Sequence, residues 1–162
     1  MHSFYKKILV PFLQGIAGKW ENTIQDENYR MEDGAVREII HTASAPAAVG
    51  PYSQGVKVGN LVFISGQLGL DTKTGEIRYD SVEIQTRQVL ENLKAIAEAS
   101  GSSLKQAVKV TVYLTDMGNF DLVNKIYSQY FPENPPARVC VEVNRLPKDV
   151  AVEMDAICVL TK

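Results

Sequence analysis

Basic charge, histidine and long apolar runs are all scarce in this chain. Its 162 residues carry 17 lysines and arginines against 19 acids, a net charge of −2. That balance lacks the basic footprint with which nucleic-acid binders hold phosphates, so a nucleic-acid partner is not expected. Two histidines occur, His2 and His41, far apart, and no plausible zinc set can be assembled around them. No apolar run approaches the roughly 18 residues that span a bilayer, so a membrane is not an expected partner. The two cysteines, Cys140 and Cys158, lie in apolar strand-like runs, and no Asn-x-Ser/Thr site occurs. Buried thiols in a reducing compartment are the plain reading, with a cytoplasmic location.

What is present begins with an unusual N-terminus. Residues 1–20 hold three lysines and no acid, with Phe4, Ile8, Leu9, Phe12, Leu13 and Ile16 at helical spacing. Residues 21–35 then switch to five acids against one arginine. Residues 1–35 therefore read as an extension: an appended helix, or a targeting segment that would make the protein mitochondrial or direct it to another organelle. Against targeting stand the lack of arginine in the first stretch and Pro11 within it. Met31 is an alternative internal start.

From residue 36 onward one domain reaches the end of the chain at residue 162, and 45% apolar composition suits a single core. Val36–His41 is a short strand, and "ASAPAAVGPYSQG" a loop. Val56–Val58 and Leu61–Ser65 form a hairpin about Gly59-Asn60. Asp80 opens a helix with Glu83 in the manner of a capping box, and Gly101 stops it. Val108 to Leu114 alternates as a strand. Phe120, Val123, Ile126, Tyr127 and Tyr130 mark a second helix, ended by Pro132. Two last strands, Ala137–Val143 and Val150–Leu160, are expected to pair as a hairpin about Leu146-Pro147. The class is α+β, a mixed sheet with two helices on one face. The strands are too apolar for the other face to meet water, so self-association through it is expected.

The stretch "PPARVCVEV" places Arg138 on this apolar scaffold. In the expected hairpin Arg138 falls opposite Asp155 and Cys140 opposite Glu153, all on one face. Two readings follow. One is a structural ion pair. The other is a site, in which the guanidinium fork binds a carboxylate and the glutamate handles water.

"GPYSQG" at 50–55, "FISGQLGLD" at 63–71, "FPENPPARVCVEVNRLPKDV" at 131–150 and "VEMDAI" at 152–157 together resemble the Rid family, and within it the RidA-like imine deaminases. The resemblance runs from about residue 39 to 160. It implies a fold like that of chorismate mutase, assembled as a homotrimer with a central β-barrel and with sites between subunits. It implies hydrolysis of small imino and enamino acids, such as 2-aminoacrylate and 2-aminocrotonate, to 2-oxo acids and ammonia, with no cofactor. The substrate arginine of the family falls on Arg138, its acid on Glu153 and its motif cysteine on Cys140. Its binding residues fall on Tyr52, Ser65, Gly66 and Asn124. The competing readings are an RNA-cleaving translation inhibitor, a label carried within the family, and a non-catalytic ligand-binding or chaperone-like trimer.

Overall fold

In the computed structural model, residues 28–30, 34 and 36–160 are described. The appended helix or targeting segment expected in residues 1–20, and the alternative start at Met31, lie outside them. The sheet has seven strands: β1 (Asn28–Arg30), β2 (Val36–Ile40), β3 (Gly55–Val58), β4 (Leu61–Leu68), β5 (Ala107–Leu114), β6 (Ala137–Glu142) and β7 (Val152–Val159). Their spatial order is β1-β2-β3-β4-β7-β5-β6. Two helices, α1 (Val82–Ala99) and α2 (Phe120–Tyr130), complete the fold.

The β3–β4 hairpin turns where the sequence places it, with Gly59 at φ +60° supplying the left-handed residue that the turn needs. Helix α1 packs on β4 and β7, and its Val89, Leu90, Leu93 and Ile96 are fully buried. Its cap differs from expectation. Ser81, not Asp80, is the N-cap, and its side chain accepts a hydrogen bond from Ile84 N at 3.2 Å. Glu83 then sits one position too early for a capping box and pairs with Arg87 one turn on.

The expected hairpin of the last two strands does not form. After β5 the chain crosses over through α2 and returns as β6, parallel to β5 and at the sheet edge. The final strand β7 then inserts between β4 and β5, antiparallel to both. The reason is apolar burial. Strand β7 alternates without a break, and Val152, Met154, Ala156 and Cys158 are at most 1% exposed, which suits a central strand. Strand β6 follows Pro135-Pro136 and leaves Val139 and Val141 about two-fifths exposed, which suits an edge.

Both helices lie over the face holding Val110, Val112, Met154 and Ala156. Among the described residues no element covers the opposite face. Phe63 is 43% exposed there, beside half-buried Val56 and Ile157.

Replacing Ser81 by Ala should cost about 1 kcal/mol in urea denaturation, while Asp80→Ala should stay within about 0.5 kcal/mol. Equal effects would return the cap to Asp80.

Candidate functional site

Residue parity across the sheet decides where each side chain points. Arg138 pairs with Val110, which pairs with Ala156; Cys140 pairs with Val112, which pairs with Met154. Side chains in register share a face, so Arg138 and Cys140 lie on the helix-covered side. Glu153 is in register with Tyr113 and Asp155 with Thr111, on the bare side. The expected single-faced cluster of Arg138, Cys140, Glu153 and Asp155 is therefore corrected. It rested on a β6–β7 pairing that the inserted β5 abolishes.

Arg138 has no ion pair or hydrogen bond among the described residues, which removes the structural ion pair within the chain as its role. Its guanidinium carbon lies 4.7 Å from the centroid of the Tyr127 ring and 5.7 Å from that of Phe120. Both rings belong to α2, spaced seven residues apart, and Asn124 falls between them on the same helical stripe. Asn124 is half-buried and its amide finds no partner among the described residues. Phe120 also lines an open depression of about 450 Å³ with Met117, Gly118 and Asp121. Cys140 is half-buried against the core, and burial pushes its thiol up, with Arg138 opposing. It is a neutral thiol at pH 7, not an activated nucleophile.

The other expected residues gather around β4. Between Ile64, opposite Ala156, and Gln67, opposite Met154, two residues of β4 face one of β7, a β-bulge at Ser65-Gly66. The bulge puts Gly66 against Glu153. A Cβ at Gly66 would overlap Glu153 Oε1 and lie 3.0 Å from its Cδ, so only glycine leaves the carboxylate its place. Ser65 is committed structurally: its hydroxyl donates to Ser53 O at 2.7 Å and its N–H to Gln54 O at 3.1 Å. These bonds tie the Tyr52 loop to the bulge. Buried Gln54 braces that loop, donating to the carbonyls of Thr42, Ala45 and Pro46 and accepting from Thr42 N. Tyr52 itself is half exposed, with its hydroxyl 3.4 Å from Val49 N.

Glu153 is held above the usual carboxylate range by burial and then by the charge of Asp155. Tyr113 donates to Asp155 at 3.0 Å, and burial followed by this acid raises the phenol.

The seven expected residues thus fall into two groups: Arg138, Cys140 and Asn124 at the β6 edge under α2, and Tyr52, Ser65, Gly66 and Glu153 around β4 and the neighbouring β7. Arg138 and Glu153 emerge on opposite faces of the sheet, and two strand spacings, about 10 Å, separate β6 from β7. Within one chain no small ligand touches both. The sequence reading missed Phe120 and Tyr127 as the support of Arg138, since their spacing had marked them only as core. It also missed Gln54, whose place inside "GPYSQG" was the available signal.

A family model described as endoribonuclease L-PSP matches residues 42–160. The chain belongs to this family, the Rid proteins. It is 57% identical over 122 residues to a RutC family protein of Pyrococcus horikoshii, covering 75% of this chain and 97% of that relative. Among solved structures, RidA from the Antarctic bacterium Psychrobacter sp. PAMC 21119 superposes with a TM-score of 0.74 at 49% identity, covering 76% of this chain and 99% of that one. TdcF of Escherichia coli, named as a candidate reactive intermediate deaminase, has been solved with bound serine. It matches with a TM-score of 0.74 at 46% identity over 76% of this chain and 99% of its own. These Rid relatives span about three quarters of the chain.

Two predictions follow from the Glu153 environment. Gly66→Ala should displace the Glu153 carboxylate at a cost below about 1 kcal/mol, and that cost should vanish in a Glu153→Ala background. An unchanged cost in the double variant would place the clash elsewhere. Because the folded pKa of Glu153 is raised, its stabilising contribution is full below the unfolded value and is lost as pH rises through the folded one. Glu153→Gln should therefore raise the thermal midpoint slightly near neutral pH, with the difference closing near about pH 4, where both side chains are neutral. A lower midpoint at neutral pH would show that the charged form is stabilised in the fold.

Proposed function

We propose that this protein hydrolyses small 2-imino acids and their enamine tautomers to 2-oxo acids and ammonia, at sites formed between copies of the chain in a homotrimer. The observation that carries this reading is Arg138: a cation on two aromatic faces whose fork no acceptor among the described residues occupies. A planar guanidinium offers a carboxylate two parallel hydrogen bonds, and Asn124 beside it adds an amide. The RidA-type naming of the relatives supports the same chemistry.

Read as half-sites, the two groups of residues account for the need for a second copy. Arg138 of one copy binds the substrate carboxylate and aligns its C=N carbon. Glu153 of the neighbour, seated on Gly66, orients a water for attack and takes its proton. The water oxygen bonds to the carbon to give a carbinolamine. The C–N bond then breaks, and nitrogen leaves as ammonia with the protons supplied through Glu153 and solvent. Tyr52 borders the substrate, while Ser65 keeps its loop in place. A glutamate with a raised pKa is better matched to neutral pH than an ordinary one. The bare apolar sheet face, with Phe63, Val139 and Val141 exposed, is the surface that such an assembly would cover. An RNA-cleaving reading has the family's description in its favour, against a net charge of −2.

The test couples threonine dehydratase and threonine, which supply 2-aminocrotonate, to 2-oxobutyrate formation in competition with semicarbazide. The protein should speed ketoacid release, and Arg138→Ala and Glu153→Gln should each abolish the effect. Refolding those two inactive variants together should restore part of the activity, since mixed assemblies contain an Arg138 facing an intact Glu153. No acceleration by the folded parent would sink the deaminase reading. Failure of the mixture to recover would sink the shared site.

A further inference from the structure

Arg138 poses a physical problem that its proposed role makes sharper. A long cationic side chain on an edge strand, with no anion to hold it, samples many rotamers, and each must be given up before a ligand binds. The structure supplies a restraint other than a charge. Tyr127 is 5% exposed and its ring packs against Phe131, with centroids 4.4 Å apart and planes tilted by 31°. Its other ring neighbour is Arg138, 4.7 Å from the centroid, closer than Phe120 at 5.7 Å.

The hydroxyl of Tyr127 does not explain the residue. It is buried and has no hydrogen-bond partner among the described residues, a state that costs stability. What the position uses is therefore the ring face. An aromatic face attracts a guanidinium through its quadrupole while engaging none of its N–H groups in the guanidinium plane. An acid in the same place would hold the arginine equally well but would occupy the fork.

We infer that Tyr127, assisted by Phe120, is a positioning residue that presets Arg138 for carboxylate binding while leaving its hydrogen-bonding fork free. The functional part of this inference rests on the carboxylate-binding role proposed for Arg138; the aromatic seat itself does not.

Two readouts separate these. In arginine-labelled protein, ring currents should shift the Arg138 guanidinium proton signals upfield, with assignment from their loss in Arg138→Ala. Tyr127→Leu should remove the shift and the conservative Tyr127→Phe should restore it. Binding of 2-oxobutyrate, a stable carboxylate product, should weaken roughly tenfold in Tyr127→Leu, and Tyr127→Phe should rescue it. In the coupled assay the loss should fall on KM rather than kcat, because the seat acts on ground and transition states alike. Tyr127→Phe should also raise the thermal midpoint, since it removes an unpaired buried hydroxyl. Phe120→Leu, at a half-buried position, gives a second variant if Tyr127→Leu does not fold, with a smaller loss of shift and affinity. A folded Tyr127→Leu protein with unchanged shift and affinity would overturn the inference. So would a Tyr127→Phe protein as weak as Tyr127→Leu, which would assign the role to the hydroxyl. A parent that binds no 2-oxobutyrate, yet shows the ring shift and its loss as stated, would remove the deaminase reading and leave the seat standing.

Discussion

Alternation of side chains across one strand, β5, governs the organisation of this molecule. Because β5 lies between β6 and β7, the row Arg138–Val110–Ala156 belongs to the helix-covered face and the row Glu153–Tyr113–Val141 to the bare one. A one-residue slip of β6 would move Arg138 to the bare face and expose Cys140 with it. The pairing of these strands thereby puts the arginine and the glutamate on opposite faces of the sheet.

The irregular backbone beside these rows is held by buried amides. Gln54 grips the Tyr52 loop through three carbonyls and one N–H. Gln67 donates to the carbonyls of Ser65 and Gly66 at the bulge. Asn92 reaches from α1 to Leu68 O and Leu70 O, and Gln85 accepts from Ala151 N ahead of β7. Backbone groups that leave the ladder still need partners when buried, and a neutral amide provides donor and acceptor without the desolvation cost of a charge. The charged groups take no part in that bracing. Arg138 rests on π faces, and Glu153 rests on a glycine.

Much of this was legible before folding. Helix and strand periodicities located eight of the nine elements; β1 lies in a segment that no periodicity singled out. The glycine-proline loop, the bulge motif "SGQ" and the run around Arg138 singled out the polar residues that the fold gathers into two groups. The expected hairpin and the expected single-faced cluster share one origin. Strands adjacent in sequence and joined by a short turn were paired with each other, whereas β7 is drawn to the centre of the sheet, where all of its apolar alternate residues can be buried. The cap of α1 moved by one residue because Ser81 and Asp80 are both good caps, and only the backbone geometry chooses between them.

The sequence by itself determined the identity of the elements, the apolar face of each, and which polar residues stand out against them, because these are local properties of residue type and spacing. Only the tertiary structure decided the strand order, and with it the face on which each polar residue emerges. That order follows from which strand buries most in the gap between β4 and β5, a comparison among segments nearly a hundred residues apart. It also decided that Arg138 would meet Tyr127 rather than Asp155, replacing an expected ion pair by an aromatic seat.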